Sequence, residues 1–146
     1  MSDATLNFAV ELLNKKRATC VILSDEKNEP IVSYQRGVKP LLALLENGSN
    51  VQGSVAADKV VGKAAAMLYA LLGIIEIYAC VISEPALEVL SANGIKVSYG
   101  EKVPMIRNRT NTGFCPMEQA TMSIDDPNMA LEAIKLTLKR LESSTK

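Results

Sequence analysis

Leu6, Ala9, Val10, Leu12 and Leu13 recur at helical spacing, which predicts an amphipathic helix over about 4–16 with Asp3 as its cap. Thr19-Cys20-Val21-Ile22-Leu23 is rich in β-branched residues and reads as a strand. A polar turn, Asp25-Glu26-Lys27-Asn28-Glu29-Pro30, separates it from a second strand, Ile31-Val32-Ser33-Tyr34, so the pair predicts a hairpin. Pro40 opens a short helix through Leu45, stopped by Asn47-Gly48.

Beyond Gly53-Ser54-Val55 the chain becomes rich in Ala and Leu. It reads as a largely buried helix over about 57–72, closed by Gly73. The nearly continuous apolar run 75–82 predicts a central strand covered on both faces. Residues 84–92 read as a helix closing at Asn93-Gly94, and 95–99 as a further strand. Asp126-Pro127 supplies the cap and first residue of a last helix ending near Leu141. Residues 100–123 read as irregular, too polar for core and too long for a simple connection. A hairpin feeding strand–helix–strand crossovers predicts one α/β domain over 1–146, a three-layer α/β/α sandwich around a mixed sheet.

Composition narrows the function classes. A chain of 146 residues has room for one real core, and 16 basic residues balance 16 acidic ones. No whole-molecule field therefore favours nucleic acid or anionic lipid, and two Phe, four Tyr and no Trp leave little for a base-stacking platform. No secretory signal or span-length apolar run is visible. Three cysteines without paired spacing do not describe a disulfide framework, so a reducing cytoplasm is the expected setting. Neither a membrane nor a nucleic-acid partner is expected, and no motif for a cofactor is found.

Directly after the apolar strand stands Ser83-Glu84-Pro85-Ala86-Leu87-Glu88-Val89. This stretch resembles the strand-to-helix turn Ser-Glu-Pro-Cys-x-x-Cys of zinc-dependent nucleoside and base deaminases, with Ala86 and Val89 in place of the two thiolates. Their third ligand comes from a His-x-Glu helix start; Ala56-Ala57-Asp58 overlays on it, and the chain has no histidine. More closely, the chain is similar to a family of small prokaryotic proteins of unknown function assigned to the cytidine-deaminase-like fold. The similarity rests on residues 57–66, 81–90 and Gly113-Phe114-Cys115-Pro116-Met117-Glu118, and spans about 38–120. The resemblance implies that fold, a crevice beyond the strand ends, and packing of copies into a homo-oligomer through helical faces. It does not supply an activity. Zinc needs three protein ligands and an open fourth position, and Cys20, Cys80 and Cys115 do not restore them, so zinc deamination is not expected.

In such a fold, helices starting near Asp58 and Glu84 aim their N-termini at the crevice, where N–H groups and dipole ends suit an anion. Residues 100–123 add Lys102, Arg107, Asn108 and Arg109, and arginine forks grip phosphate or carboxylate. The expected ligand is a nucleotide-like or phosphorylated small molecule, lined by Asp58, Lys59, Lys63, Ser83, Glu84, Arg107, Asn108 and Arg109. The plain alternative makes the arginines solvated loop charges, and Ser83 and Asp58 helix caps. A second chemical reading is metal-independent catalysis by Cys115, Glu118 or Asp58. In it Cys115 precedes a short helix whose dipole favours thiolate, with Glu118 one turn on as orienter or acid/base. No histidine partner exists for that thiol, and a half-buried small hydrophobe explains Cys115 as well. A third reading is a non-catalytic interaction module.

Overall fold

The computed structural model describes residues 3–24, 29–35, 37–107 and 115–144. Its elements run α1 (Asp3–Lys15), β1 (Cys20–Leu23), β2 (Ile31–Ser33), α2 (Lys39–Glu46), β3 (Val55–Val61), α3 (Lys63–Leu72), β4 (Glu76–Ser83), α4 (Glu84–Ala92), β5 (Lys96–Val103), α5 (Pro116–Thr121) and α6 (Pro127–Ser144). Five strands form one sheet in the order β2-β1-β3-β4-β5. The hairpin partner β2 and the central β3 both lie antiparallel to β1, while β3, β4 and β5 run parallel to one another. Each parallel connection needs a crossover, and α3 and α4 supply the two. The expected mixed-sheet α/β architecture is what the chain adopts.

Strand alternation divides the core into two layers. Val21, Leu23, Val55 and Ala57 meet Leu6, Ala9 and Leu13 of α1 on one face. Cys20, Ile22, Ala56, Ile77 and Ala79 point to the other, larger core beneath α3, which Ile82 joins at the end of β4, with α4, α2 and α6 packed around that helix. Ala64 through Tyr69 are all buried, because α3 is enclosed by neighbours on every side.

Two segments differ from expectation. The expected helix over 57–72 is two elements: residues 55–61 form a strand, and the helix starts only at Lys63. Ala56 and Ala57 favour a helix in isolation, but β1 and β4 flank this segment and offer backbone partners on both sides. Their small side chains let α1 and α3 approach the two faces of the sheet. Gly62, extended at φ −97° and ψ 179°, then turns the chain into α3. A second difference lies in 100–123, read as irregular, where β5 continues to Val103 and α5 occupies Pro116–Thr121. The helix starts at Pro40 and Asp126-Pro127 and the stop at Gly73, φ +77°, fall where the sequence places them. No helix among the described residues is long and apolar enough to cross a membrane.

Candidate functional site

The parallel strands β3 and β4 end side by side, with Val61 in register with Ile82. From these ends α3 and α4 start at Lys63 and Glu84, so two helix N-termini open onto the same place. Each helix leaves N–H groups without intrahelical partners there. At α4 the Ser83 side chain accepts from the Ala86 N–H at 3.2 Å, a conventional cap followed by Pro85 in the first turn. At α3 the cap residue is Gly62, which has no side chain to offer.

Glu118, from α5, supplies what Gly62 cannot. Its Oε1 accepts the Lys63 N–H and lies 3.2 Å from the Ser83 hydroxyl; its Oε2 accepts the Ile106 N–H at 3.0 Å. Glu118 is only 2% exposed. A Cβ on residue 62 would stand 2.8 Å from Oε1, so the glycine makes room for the acid. The anion position at the α3 N-terminus is thus filled by the chain's own side chain.

Lys63 is held just beside it. Its backbone N–H serves Glu118, while its buried side chain donates from Nζ to the Met122 carbonyl at 2.8 Å and lies 3.8 Å from Asp125. The start of α3 therefore clamps both α5 and the turn after it. Arg107 is exposed and follows Ile106, one of the Glu118 donors. Cys115 is half-buried at the head of α5; its N–H donates to the Ile106 carbonyl at 2.8 Å. Glu84 is exposed in the first turn of α4. Asn108 and Arg109 lie outside the described residues.

Asp58 and Lys59 are not at a helix start, because they belong to strand β3. Asp58 faces the larger core, where Tyr69 donates to its Oδ2 at 2.6 Å and the Val60 N–H reaches its Oδ1 at 3.3 Å. The Tyr69 oxygen lies 3.2 Å from Cys20 Sγ, completing a buried chain of three polar groups. Burial raises the Asp58 carboxyl to about 7, against the lowering effect of the bond from Tyr69. Burial and the nearby Asp58 push the Cys20 thiol far up, and it stays protonated. Alternation sends Lys59 to the opposite side of the sheet from Asp58.

The structure thus brings Lys63, Ser83 and Glu118 into direct contact, with Arg107 and Cys115 adjoining through Ile106, and places Asp58 in a separate network. Sequence reasoning had Ser83 and Glu118 in different hypotheses and missed Gly62, Tyr69 and Ile106. The run Val60-Val61-Gly62, two β-branched residues and a glycine before the alanines, was the signal that could have marked β3 and its end.

The positions matching the deaminase thiolates do not fit a metal: Ala86 is fully buried and Val89 nearly so, both within the apolar core. Among the described residues no three His, Cys, Asp or Glu side chains converge as a metal-binding group.

The fold defines an α/β protein with two helix N-termini meeting at the ends of parallel strands around a built-in carboxylate. The chain belongs to the TM1506 family, described as a domain of unknown function (DUF1893), whose profile matches residues 8–138. The crystal structure of a DUF1893 family protein (TM1506) from Thermotoga maritima is similar to it at 31% identity and a TM-score of 0.83, over 92% of this chain and 90% of that one. A diaminohydroxyphosphoribosylaminopyrimidine deaminase/5-amino-6-(5-phosphoribosylamino)uracil reductase from Thermotoga maritima shows 14% identity and a TM-score of 0.44, over 66% of this chain and 35% of that one. A comparison with curated proteins finds no match.

Proposed function

We propose that this protein binds a nucleotide-like small molecule at the mouth of the crevice, reading it with Glu118 and holding its anionic end with Arg107. The observation that carries this reading is the seating of Glu118. A carboxylate has about four acceptor positions, and the described residues use three of them. Its oxygens are fixed by backbone N–H groups from two separate segments, which is the preorganisation that selective recognition needs. A fixed carboxylate suits the amino edge of a base, as it does when Glu or Asp accepts from the cytosine amine. A phosphate is repelled by Glu118 and belongs further out, on the exposed guanidinium of Arg107.

A calorimetric and thermal-shift screen of nucleosides and nucleotides tests this. The expected result is a ligand that carries both an exocyclic amine and a phosphate and raises the melting temperature. Arg107→Ala is expected to weaken it about tenfold, the value of one charge-assisted contact. Glu118→Gln is expected to remove the preference for amino-bearing bases. A screen in which no compound stabilises the wild-type protein at millimolar concentration sinks the proposal.

A further inference from the structure

We propose that the outer face of α6 is a self-association surface on which a second copy of this chain packs its own α6 antiparallel. The helix spans 18 residues and buries Ala130 and Ile134 against the body of the molecule, where α6 meets α3 and α5. Two long apolar side chains point the other way. Met129 is 63% exposed and Leu136 is 56% exposed. They stand seven residues apart, two helical turns, and so lie on one stripe, with the smaller Ala133 between them. Single exposed apolar residues are ordinary; an aligned pair on a helix face is the pattern of a helix–helix seam.

The charges beside that stripe are what select the occupant. Asp125 and Asp126 stand at the N-terminal end of the helix, Lys139 and Arg140 near its C-terminal end, and all four are exposed. A two-fold axis through the neighbourhood of Glu132 and Ala133 inverts this arrangement. It lays Met129 of each copy beside Leu136 of the other and brings each acidic end to the partner's basic end. A parallel pairing would instead align like charges along the whole seam. The surface is therefore complementary to itself only in the antiparallel sense, the isologous geometry of a two-fold dimer. Rim charges of this kind set orientation more than affinity, and the apolar pair supplies the binding. Glu132 approaches its own copy beside the axis, a built-in repulsion that limits the strength of the dimer.

Sedimentation velocity over a range of protein concentrations tests the proposal, with circular dichroism confirming that each variant is folded. The wild-type chain is expected to dimerise. Leu136→Glu is expected to raise the dissociation constant at least about tenfold, the cost of losing a central apolar anchor. Lys139→Glu and Asp126→Lys, at positions that face each other in this register, are each expected to weaken the dimer, and an equimolar mixture of the two to restore it, since the exchanged charges attract at one end of the mixed dimer and the other end keeps its native pairing. Glu132→Gln is expected to tighten it. A wild-type chain that stays monomeric to its solubility limit overturns the proposal. So does a dimer indifferent to Leu136→Glu, which places the contact elsewhere. Failure of the charge-swapped mixture to reassociate, or an unchanged dimer with Glu132→Gln, rejects the antiparallel register.

Discussion

Asp58 shows how one side chain's partner decides its role. At the start of a helix it would be a cap or a proton shuttle; in the middle of β3 it is sealed against Tyr69 and Cys20. Its carboxyl titrates near 7 in the folded protein against an ordinary value of 3.8. Between those two values the unfolded chain has released a proton that the folded chain keeps, so stability falls as pH rises through that window and levels off above it. Asp58→Asn mimics the protonated acid and removes this dependence. Urea unfolding at pH 5 and pH 8 is the check: relative to the variant, the wild-type protein is expected to lose a few kcal/mol between the two. Parallel curves would mean that Asp58 is solvated or ionised at little cost.

At the scale of elements, the junction of β3 and α3 carries the site. Gly62 ends the strand, starts the helix and leaves the space that Glu118 fills. Gly62→Ala places a methyl group 2.8 Å from the Glu118 oxygen. Overpacking of this kind is expected to destabilise by about 1–3 kcal/mol, measured as a lowered denaturant midpoint at unchanged slope. An unaffected midpoint would show that α5 yields freely. The same junction marks the limit of local reasoning. The first helix, the hairpin, the strand–turn–helix at Ser83 and the start at Asp126-Pro127 were legible, because caps, turns and apolar period act within a few residues. The strand 55–61 was not legible as such, since Ala56-Ala57 carries helical preference and only pairing with β1 and β4 overrides it. Half of the site was legible in the same sense: Ser83 by its turn, Glu118 by its place beside Cys115, but not their contact.

The whole molecule rests on unequal layers. Several helices cover one face of the sheet, whereas α1 carries the main apolar contacts of the other. Leu13 is fully buried in that thinner layer, where among the described residues α1 packs mainly on strands β1, β3 and β4 rather than on another helix. Leu13→Ala is therefore expected to cost about 2–5 kcal/mol in global unfolding while leaving the Glu118 contacts beside the far layer unchanged. Loss of the proposed ligand binding without loss of stability would contradict this separation.

By itself the sequence determined the α/β class, most element positions and the replacement of both metal-binding thiolates by Ala86 and Val89, all properties of residue identity and short-range pattern. The tertiary structure decided that 55–61 is a strand, that Asp58 is enclosed with Tyr69, and that Glu118 caps a helix 55 residues earlier in the chain. Each of these depends on partners far apart in sequence, and a hydrogen bond across such a distance leaves no trace in local periodicity.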